Sequence, residues 1–175
     1  VLLGSAIAAV LYGSAVGSVL AQAQQNRVVV PAGVYAGDEP GATLMHDYGS
    51  FQLYRVDNTR LAELRSIARG AVQVQKDLVE FEAAGFDTLR ASGADIPAAF
   101  RAGKPTGPAV RLVQFAGPIV DAWLDSVRAT GARVVQYIPN NAYLVLADAA
   151  QQEGLGALVE GSDYLTYANT LDPWY

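Results

Sequence analysis

Residues 110–119 read VRLVQFAGPI and residues 134–145 read VVQYIPNNAYLV. Val110 to Phe115 is short, rich in β-branched and aromatic residues, and bounded by Pro108 and Gly117, which predicts a strand. From Ile119 the period changes. Val120, Trp123, Leu124 and Val127 fall at i, i+3, i+4 and i+7, the stripe of an amphipathic helix. Pro118 stands ahead of that helix, Asp121 suits the positive end of its dipole, and Gly131 suits a left-handed cap.

Val134 to Ile138 and Ala142 to Ala147 read as two further strands. Pro139-Asn140-Asn141 between them predicts a tight hairpin, because Asn tolerates positive φ. Asp148 then opens a second helix with Gln151 at capping-box spacing, and Leu155, Leu158 and Val159 form its stripe. Gly154 and Gly156 weaken it by roughly 1 kcal/mol each relative to Ala. Gly161 ends it, and Tyr164 to Tyr167 predicts a fourth strand.

The order βαββαβ predicts an α+β fold: a ferredoxin-like module with a four-stranded antiparallel sheet and both helices on one face. The other face should be polar if water covers it. Instead Leu112, Leu144, Leu146 and Tyr167 are apolar, alternating with Val113, Phe115, Tyr143 and Val145, so both faces carry large apolar groups. Another part of the chain, a second copy, or a separate partner seated on that face would each explain it.

LVQFAGPI at 112–119, the Trp-Leu helix and VVQYIPNNAYLV at 134–145 resemble the amino-terminal pro-region of secreted subtilisin-like serine proteases. YIPNNAYLV is the most specific part. Residues 47–90, with Asp47-Tyr-Gly-Ser-Phe51 and Lys76-Asp77-Leu78, resemble the earlier part of the same pro-region. Asp172-Pro-Trp-Tyr175 stands where that family shows a Pro-Tyr element before the catalytic domain. The resemblance implies an intramolecular chaperone and temporary inhibitor. Its sheet would pack on the protease, and its tail would lie in the substrate cleft. Leu112, Leu144, Leu146, Tyr167, Asp172, Pro173, Trp174 and Tyr175 are the partner-docking residues it implies. The 175 residues contain no catalytic domain, so no Asp/His/Ser positions carry over, and the chain itself is not expected to be an enzyme. The alternative, from the residues alone, is a free-standing secreted ferredoxin-like module for binding or oligomerisation.

The rest of the chain frames this unit. Apolar residues make up 51% and charged residues 17%, enough for a modest core in one or two domains. The net charge of −5 leaves no basic stripe for nucleic acid, and the absence of cysteine excludes disulfides. Residues 1–26 carry no charge, and the apolar run ends in Ala21-Gln22-Ala23, so residues 1–23 predict a signal peptide and a secreted or periplasmic product. The rival is an uncleaved anchor, since about 20 apolar residues span a bilayer. Residues 27–82 predict a smaller α/β region. Tyr48 to Val56 reads as a strand, Asp57 or Asn58 caps a helix with Leu61, Leu64 and Ile67 on one face, Gly70 ends it, and Ala71 to Gln75 reads as a strand. Asp57, Leu64, Ile67 and Gly70 recur as Asp148, Leu155, Leu158 and Gly161 at one constant spacing. Diverged duplication and chance both account for that. Residues 83–108 read as a linker, 109–170 as the principal module and 171–175 as an extended tail.

No constellation of chemistry emerges. His46 is the only histidine; its neighbour Asp47 points away from it in a strand, and no second nitrogen or sulfur ligand accompanies it. Neither GxSxG, HExxH nor a P-loop occurs. Asp121, Asp125, Asp148 and Glu153 suit helix starts and polar faces. No metal or cofactor is implied, and the expected partner is a protease domain.

Overall fold

The computed structural model describes residues 25–35, 40–90, 92–93, 97–101, 103, 105–173 and 175. The expected signal peptide and Trp174 lie outside the described residues. The fold is α+β, with antiparallel sheets throughout. No helix of the described residues is long and apolar enough to cross a membrane.

The amino-terminal half comprises β1 (Asn26–Pro31), β2 (Ala42–Asp47), β3 (Phe51–Val56), α1 (Asn58–Ile67) and β4 (Gln73–Val74). Three short strands follow, β5 (Leu78–Glu80), β6 (Gly85–Asp87) and β7 (Ser92–Gly93). The carboxy-terminal half is β8 (Ala109–Phe115), α2 (Asp121–Ala129), β9 (Arg133–Ile138), β10 (Ala142–Ala147), α3 (Ala149–Gly161) and β11 (Leu165–Thr170).

Local chemistry places these elements. Asn140 and Asn141 take φ of 69° and 60°, the left-handed pair that a tight β9–β10 hairpin needs. Asp148 accepts from the Gln151 amide at 2.9 Å while the Gln151 side chain accepts from the Asp148 amide at 3.0 Å, closing the capping box of α3. Trp123, Leu124 and Val127 are the buried stripe of α2, as their spacing predicts. In α1 the stripe is narrower than predicted: Leu61 and Leu64 are buried, but Ile67, in the last turn, is 56% exposed.

The carboxy-terminal sheet runs β11-β8-β10-β9 and the amino-terminal one β2-β3-β1-β4. Each half therefore has a first strand in the same interior position, a hairpin on one side of it, and a returning strand on the other. In each, an aspartate caps the helix that leads to the returning strand: Asp57 receives the Arg60 amide at 2.8 Å and Asp148 the Gln151 amide at 2.9 Å. The recurrence read in four residues is accompanied by the same strand order in the two halves.

One face of the carboxy-terminal sheet, with Val113, Phe115, Val145 and Leu165, packs against Trp123, Leu124, Val127 and Leu155. Val29 and Leu53 of the amino-terminal sheet join this core, while Val28, Val30, Tyr54 and Val56 on its opposite face pack with Leu61 and Leu64. The two halves meet at the turn after β8. A Cβ at Gly117 would come within 2.7 Å of the Leu53 side chain, the Tyr48 hydroxyl donates to the Pro118 carbonyl, and Arg55 pairs with Asp163 at 2.7 Å. His46 is a packing residue of this seam, edge-on to Tyr48 at 4.5 Å and to Trp123 at 5.1 Å.

Two glycines test this packing with opposite signs. Leu53 is fully buried and has nowhere to move, so Gly117→Ala destabilises the fold by about 1–3 kcal/mol. Gly156 lies within α3 and a Cβ there meets nothing within 4 Å, so Gly156→Ala stabilises by about 0.8–1 kcal/mol. Urea denaturation midpoints of the two variants check both.

Candidate docking surface

The face of the carboxy-terminal sheet turned away from its helices carries Val110, Leu112 and Gln114 from β8, Ala142, Leu144 and Leu146 from β10, Ile138 from β9 and Tyr167 from β11. The predicted docking residues Leu112, Leu144, Leu146 and Tyr167 are indeed brought together here. The chain itself covers one end of this face. Val79 of β5 and Phe86 of β6 lie over Leu112, Ile138 and Ala142 in one buried cluster.

This corrects two expectations. Leu112 is 1% exposed and unavailable to an outside partner. The segment assigned to a linker from residue 83 begins instead as part of the cover, since Phe86 and Thr88 are buried within it. Its Ala, Gly and Pro content hides a pair of short strands that have no period long enough to detect.

Polar contacts fasten the cover down. Gln114 is fully buried; its amide nitrogen donates to the carbonyls of Lys76 at 3.0 Å and Asn140 at 2.8 Å. The Thr88 hydroxyl lies within reach of both Gln114 Oε1 and the Asp77 carbonyl. From the hairpin tip, Asn140 donates to the Leu78 carbonyl at 2.7 Å and Asn141 to Gln75 Oε1 at 2.9 Å. Arg27 pairs with Asp77 and donates to the Phe115 carbonyl at 3.3 Å. Burial lowers the pKa of that guanidinium, and Asp77 opposes the shift. A single buried amide thus joins the sheet, the hairpin and the cover, and leaving it out would strand several buried polar groups.

The tail departs from the extended form expected of it. The Tyr175 amide donates to the Asp172 carbonyl at 3.2 Å, and the Tyr175 ring packs 5.3 Å from Phe81 and 5.6 Å from Phe86. Tyr167 completes the cluster, 5.5 Å from Phe86. Apolar contact with the cover outweighs the extended preference around Pro173, because four aromatic rings leave water together. Pro173 is exposed and Asp172 half-buried.

At the other end, among the described residues, the face stays open. Val110 is exposed, and Leu144 and Leu146 are half-buried. Beside them an apolar groove of about 440 Å³ runs between Pro105, Val110, Thr170, Leu171, Pro173 and Tyr175. Among the described residues no three His, Asp or Glu side chains converge as a metal site. The surface can bind through shape and apolar contact.

These features define a small α+β module built from two like-ordered halves, with one sheet face partly covered by its own chain. The profile of the family described as a domain of unknown function (DUF8729) matches residues 67–163, more than half of the chain, and the chain belongs to that family. The matched stretch begins at the last residue of α1 and stops just short of β11, so it takes in β5 and β6 of the cover and the β8, β9 and β10 part of the face beneath it. No curated protein and no solved structure matches the chain.

Two measurements probe this surface. Gln114→Ala removes the shared amide and destabilises by roughly 1–3 kcal/mol for the groups left unpaired; hydrogen exchange should quicken first in residues 76–88. Burial raises the phenol pKa of Tyr48 to about 12, and burial followed by Asp172 and Tyr175 raises that of Tyr167 to about 12. Both folded values exceed the unfolded value of about 10, so their contribution is intact below pH 10 and is lost as pH rises through 12. Absorbance titration at alkaline pH should show late-ionising tyrosines, with unfolding midpoints falling over the same window.

Proposed function

We propose that this chain is the pro-region of a secreted subtilisin-like serine endopeptidase, a non-catalytic docking module that assists folding of the protease and inhibits it temporarily. The βαββαβ order and the strand order β11-β8-β10-β9 support reading the carboxy-terminal half as a ferredoxin-like module. The observation that carries the proposal is the open apolar end of the sheet, Val110, Leu144 and Leu146, alongside the groove bordered by Leu171 and Pro173. A solvated antiparallel sheet face would alternate toward polar residues there. In this reading the protease seats on that end, and residues 171–175 leave the aromatic cluster to enter the substrate cleft as an added strand.

The second reading is a free-standing secreted binding module. The burial of Leu112 beneath Val79 and Phe86, and the packing of Tyr175 on the same cluster, favour it, because the chain itself satisfies much of the face.

Adding the chain to its cognate subtilisin-like protease and following initial rates separates the two. The pro-region reading expects slowing at micromolar concentration and at least a tenfold loss of inhibition, about 1.4 kcal/mol, in Leu146→Asp with the fold intact. Unchanged rates for the cognate enzyme favour the free-standing module.

A further inference from the structure

We infer that the open end of the carboxy-terminal sheet selects a partner surface that carries a carboxylate beside an apolar patch, and that Arg133 reads the carboxylate. Strand register places one row of side chains across this end. Arg133 of β9 lies opposite Leu146 of β10, and Leu146 lies opposite Val110 of β8. Just past β11, the Leu171 amide donates to the Val110 carbonyl at 3.2 Å. Residues directly opposite in an antiparallel pair share a face. Leu171, like Leu144 and Tyr167, packs against the covered cluster, so it belongs to that face too. The row therefore reads as one cation followed by three apolar residues. Arg133 and Val110 are exposed, and Leu146 and Leu171 are half-buried.

Charge complementarity names the occupant. Arg27, Arg55, Arg60, Arg90 and Arg128 each pair with a carboxylate of the chain. Among the described residues Arg133 forms no ion pair or hydrogen bond, although the chain carries a net charge of −5. A purely apolar surface seated on this end would take water from the guanidinium and give it no counter-charge. A carboxylate at that point removes the conflict. Asp172 borders the groove at the β11 end of the row. Three strand spacings, roughly 14 Å, separate that end from β9. The two charges mark opposite ends, so a partner's carboxylate is drawn to the β9 end and repelled from the other. Arg133 stands at the rim of the patch, where a charge acts chiefly on the rate of association. This inference rests on the pro-region reading, in that it takes the partner to be the protease. It assigns to that protease an Asp or Glu side chain next to the apolar residues that seat on Leu146 and Val110.

Octanoate, an apolar chain ending in a carboxylate, probes this chemistry without a protease. Its titration should shift the backbone amide signals of Leu144 and Leu146 saturably. Its midpoint should lie about threefold to fivefold below that of octylamine, the effect of one exposed ion pair. Arg133→Gln should remove that preference. With the cognate subtilisin-like protease at low salt, Arg133→Glu should slow the onset of inhibition by about tenfold. Arg69→Glu, the same charge change at an exposed position of the amino-terminal half, should leave the onset unchanged. Equal midpoints for octanoate and octylamine, or a preference that survives Arg133→Gln, would overturn the inference. So would Arg133→Glu inhibiting as fast as the unmodified chain while Leu146→Asp loses inhibition, a result that leaves the pro-region reading standing. An unmodified chain that leaves the protease uninhibited overturns the pro-region reading and this inference together.

Discussion

A sheet that is apolar on both faces needs two covers, and in this chain the second cover is fastened at Gln114. A fully buried side-chain amide has two donors and an acceptor to satisfy, and here the donors find the Lys76 and Asn140 carbonyls while the acceptor meets the Thr88 hydroxyl. Replacing water around such a group is unfavourable unless every partner is in place. The position of residues 76–88 over β8 follows from that requirement as much as from the burial of Val79 and Phe86. The hairpin tip serves the same end, since Asn140 and Asn141 adopt positive φ for the turn and spend their amides on Leu78 and Gln75.

The cover changes what the sheet can offer. A fully bare apolar face would need a large partner to keep the chain from aggregating. With Leu112 enclosed and Tyr175 packed beside Phe81 and Phe86, the apolar surface that this face of the sheet keeps among the described residues lies at the Val110–Leu146 end, next to the groove. A partner on this surface gains less buried area, and any partner that draws the tail away must replace its aromatic contacts. Both effects favour reversible over permanent association.

The seam between the halves is a second constraint, built from close backbone approach. Gly117 lies against Leu53 with no room for a side chain, and His46 stands among Tyr48 and Trp123. The amino-terminal half therefore supports the turn that leads from β8 into α2. Its likeness in strand order to the carboxy-terminal half does not make the two equivalent. Only the latter has a described helix between its first two strands, and that helix supplies Trp123 to the shared core.

Much of the local structure was legible in the residues. The 3.6-residue stripe of α2, the capping box at Asp148, the Asn-Asn turn and the strand alternation from Val110 onward act over a few residues, so each is written in adjacent side chains. The same pattern marked Leu112, Leu144, Leu146 and Tyr167 as one apolar face. Strand alternation says that a face avoids water, but carries no information on what covers it. That was decided by contacts such as Gln114 to Lys76, 38 residues apart, and Thr88 to Gln114, 26 apart. It also hid β5 and β6, whose three residues each are too few for a period and are held by the sheet they cover. The sequence by itself determined a two-faced apolar sheet; tertiary structure alone decided that the chain closes one end of it, because a buried amide finds its partners in space and not in order.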